Sequence, residues 1–192
     1  MRVITGKARG MKLKALEGTD IVRPTADAVK EAMFSIVQFD IEGALVLDLF
    51  AGSGQLGIEA LSRGARKAWF VDSSRLSIEL IRDNLEHTRL ADSAEVVNMP
   101  NSAFLRSARE KFDIAFLDPP YGKGLIERSL SALTEKMSEN GIIVCEHEKE
   151  LRLPERVNGF LLSKTYSYGK IRLSVYRKES KEPDDDEGGA IN

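Results

Sequence analysis

The chain has one cysteine, Cys145, in 192 residues. A disulfide framework is therefore excluded, and a reducing compartment, the cytoplasm, is expected. Its two histidines, His87 and His147, lie far apart with no carboxylate or cysteine at metal-ligand spacing. No metal site is expected, and both are placed at the surface or one step behind a site. No apolar run approaches the ~18 residues of a membrane helix. The opening MRVITGKARG lacks the apolar stretch of a signal peptide. What is present is ordinary globular material, 42% hydrophobic and 30% charged. One soluble domain of this length buries roughly 70% of its unfolded surface without a staple.

The net charge of −2 conceals an asymmetry. Residues 179–192 carry six acids and one lysine, a net of −5, which leaves +3 for residues 1–178. That acidic tail has too few apolar residues for a core and is expected to be disordered. The first 14 residues hold Arg2, Lys7, Arg9, Lys12 and Lys14 and no acid. Such a block suits an anionic partner or a solvated strand pair.

The hydrophobic rhythm divides the chain. Arg2–Leu16 reads as a small hairpin around Gly6 and Gly10. Thr25, after Pro24, caps a predicted helix reaching Val37. From residue 44 strands and helices alternate. Strands are predicted over 44–50, 67–72, 94–99, 112–118 and 141–148. The helices between them fall at 57–63, 74–90, 102–109 and 125–138. Two alternating runs, 160–167 and 170–178, form a terminal hairpin around Tyr168-Gly169. Cys145 and Trp69 read as packing residues. Five βα units and a hairpin predict a Rossmann-like α/β domain. Its mostly parallel seven-stranded sheet ends in a C-terminal antiparallel hairpin, with a small N-terminal β-hairpin/helix extension. The expected layout is residues 1–40 as the basic extension of the same domain, 41–178 as the catalytic domain and 179–192 as the tail. Ligands in such sheets bind past the carboxyl ends of the strands.

Two such ends carry signals. After the first strand, Gly52, Gly54 and Gly57 make a GxGxxG, and Asp72 closes the second strand 20 residues after Gly52. The glycines let a ligand lie against the backbone, and the carboxylate can take both ribose hydroxyls. A nicotinamide dinucleotide and S-adenosylmethionine both fit. Asp48, four residues before Gly52, would face pyrophosphate unfavourably and suits a cationic sulfonium and ammonium. It favours the second cofactor without deciding the matter. After the fourth strand comes Asp118-Pro119-Pro120-Tyr121. The prolines fix two φ angles and remove two donors. The Pro119 carbonyl and the Asp118 carboxylate are left as paired acceptors, and Tyr121 offers a face for stacking a nucleobase. Two acceptors on the N–H groups of an exocyclic amine aim its lone pair at a methyl group. Catalysis is then positioning and electrostatics.

These motifs resemble the class I S-adenosylmethionine-dependent methyltransferases of the (D/N/S)PP(Y/F/W) type. With the start RVITGKARG, Arg23-Pro24-Thr25 and DLFAGSGQLGIEALSRGA at 48–65, residues 1–178 are similar to the RsmD family. Its members methylate guanine N2 in 16S ribosomal RNA of the small subunit. The resemblance implies S-adenosylmethionine as cofactor. Gly52, Gly54 and the surrounding Phe50, Ala51 and Ser53 would hold its methionine part, and Asp72 its ribose. Asp118, Pro119, Pro120 and Tyr121 would hold the target amine and base. Arg2, Lys7, Arg9, Arg23 and Thr25 would bind RNA, within the small subunit or its assembly intermediate, and a monomer is expected. Many relatives carry Asp or Asn at the position of Pro100 to meet the adenine amino group. Here Asn101 or Asn98 would substitute. Three alternatives stay open. An adenine-N6 methyltransferase on DNA or RNA would use the same four residues. A nicotinamide-dependent oxidoreductase would leave DPPY without a role. A non-catalytic RNA-binding protein would tolerate loss of Asp118.

Overall fold

The structure is a computed structural model that describes residues 1–15 and 24–179, the side chains of 24–26 excepted. Arg23, the Thr25 side chain and residues 180–192 of the predicted disordered tail lie outside the described residues. Among the described residues no helix is long and apolar enough to cross a membrane.

The apolar run after Gly43 becomes β1 (Leu45–Asp48), followed by α2 (Gln55–Ser62), β2 (Lys67–Asp72) and α3 (Arg75–Thr88). Then come β3 (Ala94–Asn98), α4 (Asn101–Ser107), β4 (Phe112–Leu117), α5 (Leu125–Thr134) and β5 (Met137–Glu148). The chain closes with β6 (Arg156–Val157), β7 (Phe160–Tyr168) and β8 (Ile171–Lys178), and α1 (Pro24–Ile36) precedes them all. One sheet runs β3-β2-β1-β4-β5-β8-β7-β6. Its first five strands are mutually parallel and its last three antiparallel. Because β1 sits between β2 and β4, strand order reverses there, and a crevice opens past the carboxyl ends.

Side-chain alternation sorts the core into two layers. Val46, Phe70, Phe116 and Val144 face α1, α2 and α3, and Leu47, Val71, Leu117 and Cys145 face α4 and α5. Cys145 is wholly buried, and Trp69 packs edge-on against Phe112. The third glycine of the turn motif serves this packing. A Cβ on Gly57 would lie 2.3 Å from the Phe70 ring, so only glycine lets α2 sit so close to β2.

Several expectations are corrected. The sheet has eight strands rather than seven. The eighth, β6, is a two-residue edge joined to β7 through Asn158 and Gly159, both at positive φ. An Asn-Gly pair is the usual signal of such a turn. The helix predicted over 125–138 stops at Thr134, because Met137 already pairs with Phe112 as the start of β5. Thr25 falls inside α1 rather than before it. The helix begins at Pro24, whose missing N–H costs nothing in a first turn. The N-terminal hairpin reduces to a single antiparallel bridge, Arg2 to Lys12. His147 is buried, with its ring nitrogens 2.8 Å from the Glu148 carbonyl and from Ser174 Oγ. Glu179, counted with the tail, forms a two-pronged ion pair with Arg156.

The N-terminal segment is sewn to α2 and α3 through their side chains. Glu59 accepts the Ile4 and Thr5 amides, Ser62 Oγ accepts the Ala8 amide, and Asn84 exchanges two hydrogen bonds with Lys14. The same Asn84 donates to the Ser53 carbonyl, so the segment and the glycine turn share one anchor. Glu59 is fully buried and offset by Arg63 at 2.8 Å and Lys30 at 3.8 Å. A carboxylate so placed is tolerated only because its oxygens are all engaged.

Candidate active site

The turn after β1 is built on two carboxylates. Asp72, at the end of β2, accepts the Gly52 amide on one oxygen (2.9 Å) and the Ser74 amide on the other (2.8 Å). Each oxygen keeps a lone pair toward the crevice. Asp48 lies beneath the turn, 1% exposed, and accepts the Gly57 amide at 3.0 Å. Its second oxygen is buried without a partner. Gly54, at φ 78°, turns the chain into α2.

Past this turn lies a cleft of about 770 Å³. Of the residues singled out in the sequence, Phe50, Gly52, Asp72, Asn101 and the whole of Asp118–Tyr121 line it together. Ala51, Ser53 and Gly54 form the turn behind. Asn101 opens α4, and its Nδ2 donates to Ser129 Oγ at 2.8 Å, leaving its carbonyl oxygen without a partner among the described residues. Asn98 instead donates to the Asp72 carbonyl on an exposed edge. Sequence reasoning missed Ser73, Ser74 and Ser77, which supply the cleft's polar wall on the α3 side. Their signal was position, directly after a strand.

A second cavity, about 650 Å³, opens on the other side of the Asp118–Tyr121 loop. Asp118 and Tyr121 line both spaces and form the boundary between them. Lys30 and Met33 of α1, Gln55 and Leu56 of α2, the end of β5 and the β7–β8 turn complete it. The Tyr121 hydroxyl donates to Glu146 at 2.9 Å, and the Gly122 amide donates to Glu148 at 3.0 Å. Neither glutamate was picked out in the sequence, although both close a strand at the carboxyl edge. The Asp118 carboxylate accepts no hydrogen bond from the described residues.

The electrostatics of this junction are unfavourable as they stand. Burial pushes Asp48 up to about 7, against the Gly57 amide and with help from Asp72. Burial raises Asp118 well above the usual carboxylate range, and Glu146 and then Asp48 add to it. Glu146 is also raised by burial, opposed by the Tyr121 hydroxyl. A cation entering among these carboxyls would relieve the strain. Among the described residues no group of three or more His, Cys, Asp or Glu is arranged to hold a metal ion.

The predicted RNA-binding residues are more dispersed. Arg2, Lys7 and Arg9 are exposed. The Arg2 carbonyl is held at 2.6 Å by Lys30, which lines the second cavity. Lys7 sits instead beside Ser62–Gly64, at the far end of α2 from the glycine turn. The basic segment thus runs away from the site along a helix roughly 12 Å long.

The strand order, the glycine turn and the acceptor loop after β4 together define a Rossmann-like class I methyltransferase fold. A solved protein of Haemophilus influenzae assigned as a methylase superposes with a TM-score of 0.78. It shares 33% identity, over 94% of this chain and 99% of that one. Residues 1–177 match the family described as conserved hypothetical protein 95. The chain is 37% identical over 182 residues to the ribosomal RNA small subunit methyltransferase D of Haemophilus influenzae, covering 92% of this chain and 93% of that protein. Against the Escherichia coli K12 protein of the same name the figures are 34% over 183 residues, 94% and 91%. The chain belongs to this family, that of RsmD.

Proposed function

We propose that the protein transfers a methyl group from S-adenosylmethionine to the exocyclic N2 of a guanine in small-subunit ribosomal RNA, acting as a cytoplasmic monomer. The observation that carries this reading is Asp118. It is a half-buried carboxylate without a hydrogen-bond partner among the described residues, and it lies where a cofactor-sized cleft meets a second cavity.

The residues of the first cleft fit the cofactor's chemistry. The remaining lone pairs of Asp72 suit ribose hydroxyls, and the free carbonyl of Asn101 suits an adenine amino group. The orphan oxygen of Asp48 and the crowded carboxyls favour a cation at the turn. That charge pattern speaks against a dinucleotide, whose pyrophosphate would meet it. When bound, the cofactor supplies an electrophilic methyl on a cationic sulfur.

The rest is work for the chain's own groups. Asp118 and the Pro119 carbonyl accept the two N–H groups of the guanine amine, drawing its nitrogen toward a tetrahedral shape. Tyr121, tethered through its hydroxyl, holds the base plane. The N2 lone pair bonds to the methyl carbon as the carbon–sulfur bond breaks. N2 then sheds its surplus proton, and Asp118, with its raised proton affinity, is the adjacent group able to receive it. Preorganised acceptors act here without reorganisation cost.

The test is methyl transfer from labelled cofactor to small-subunit particles from cells lacking the gene, with the product nucleoside identified by mass spectrometry. N2-methylguanosine at one site, lost in Asp118→Ala, is expected. N6-methyladenosine would overturn the substrate, and absence of both transfer and cofactor binding would overturn the class.

A further inference from the structure

The second cavity is notable for what its inner wall offers a base. Leu117 pairs with Cys145 across β4 and β5, so the next residues outward are Asp118 and Glu146, side by side. Both continue the rows of Phe116 and Val144, which alternation points to the α1 and α2 face. Two carboxyl groups, acceptor-only when ionised, therefore stand next to each other at the cavity's inner end. Glu146 spends one oxygen on the Tyr121 hydroxyl, and its other oxygen has no partner among the described residues. Glu148, the next inward-facing acid, is committed to the Gly122 amide and holds the loop.

The Watson–Crick edge of guanine places two kinds of donor in a row, the N2 amine and the N1–H. Adenine pairs its amine with an N1 acceptor. Resting on the guanine-N2 reading above, we infer that Glu146 is the specificity-determining residue, its free oxygen accepting the N1–H while Asp118 accepts the amine. A carboxylate in that place meets adenine's N1 lone pair with its own. The rejection arises from an unpaired, repelled buried acceptor, the kind of mismatch that discriminates most strongly. The hydroxyl of Tyr121 fixes the carboxylate and the stacking ring together, so amine and N1–H are read in one plane.

Exchanging one atom type on each side tests this. RNA carrying either guanine or 2-aminopurine at the methylated position is assembled into small-subunit particles. 2-Aminopurine keeps the N2 amine but presents an acceptor at N1. Single-turnover kcat/KM is measured for both RNAs with wild type, Glu146→Gln and Tyr121→Phe. Wild type should prefer guanine by about 100-fold. In Glu146→Gln the amide can turn its NH2 to the base, and the preference should fall at least tenfold, through loss on guanine and gain on 2-aminopurine. Tyr121→Phe should slow both RNAs and keep a guanine preference. The ratio is internal to each enzyme, so uniform damage to folding leaves it unmoved. An unchanged ratio in Glu146→Gln, with N2-methylguanosine still formed by wild type, overturns this inference alone. A wild type that forms N6-methyladenosine overturns the guanine reading with it.

Discussion

The turn after β1 and the loop after β4 leave neighbouring strands and end at the same cleft, yet they are built in opposite ways. The first is glycine-rich and tied down from within, with one Asp48 oxygen left over. Asp72 and Asp48 each accept turn or helix amides, and Asn84 ties the Ser53 carbonyl down from behind. The second is proline-rich and left open. Its backbone is fixed by two rings, while Asp118 keeps an unengaged carboxylate. A surface that must bind the same cofactor each time gains from donors already locked in place. A surface that must polarise an incoming amine needs acceptors that nothing else has taken. On the proposed function, the hydrogen-bonding state of each loop is the imprint of its task.

That contrast breaks most visibly at Asp118. Asp118→Ala should lower kcat/KM by about 10³-fold, while cofactor affinity measured by calorimetry changes little. An equal loss of cofactor binding would mean that both loops serve one ligand. The next effect, on the order of 2–4 kcal/mol, belongs to Asp48→Asn. The folded-state value of Asp48 is raised to about 7 from 3.8, so the folded protein holds this proton more tightly than the unfolded chain. Its stabilising contribution is complete below about pH 4 and is lost as pH climbs to about 7. Asparagine keeps the Gly57 amide bond and removes the titration. The stability gap between variant and wild type should grow in the variant's favour from pH 4 to 7 in urea melts, while cofactor affinity falls. A gap independent of pH would show that the burial of Asp48 is already compensated in the folded protein.

Much of this was legible in the sequence, because local chemistry dictated it. Four of the five parallel strands are apolar runs closed by acids, and the turn residues demanded by GxGxxG and DPPY leave few backbone options. Asp72 and Asp118–Tyr121 could be singled out because each stands at or just past the carboxyl end of a strand, whereas Asn101 came in only through the family resemblance; the structure brings all of them to one cleft. What escaped was set by pairing across the sheet. Met137 reads as helix by periodicity and becomes strand because Phe112 is waiting beside it. Glu146 and Glu148 look like a solvated strand end until β4 places the Tyr121 hydroxyl against one and the Gly122 amide against the other. His147, equally polar in sequence, is buried because β8 sets Ser174 opposite its ring. The second cavity is assembled between elements, and one-dimensional spacing does not carry it.

Gly57→Ala sharpens the comparison from the packing side. The added Cβ would meet Phe70, a ring buried to 0% exposure that has no room to retreat. About 1–3 kcal/mol of stability should be lost, read as a lower melting midpoint with cofactor affinity reduced in step. The smallest effect is expected from the basic segment, which is bound to the glycine turn through Asn84 and lies outside both cavities. Arg2, Lys7 and Arg9 are exposed and make no ion pair among the described residues, so their charge is available to phosphates. Each replacement by alanine should raise KM for the particle a few-fold and reduce the slope of log affinity against log salt by about one. The rate at saturation and the cofactor affinity should stay put, because the segment touches neither Asp118 nor Asp72. The three need not weigh equally. Arg2, held by Lys30 beside the second cavity, is nearest the target base. Lys7 lies at the far end of α2, where only an extended RNA surface would reach it. A larger KM effect at Lys7 than at Arg2 would therefore show that the particle is gripped along the whole helix rather than at the mouth of the site.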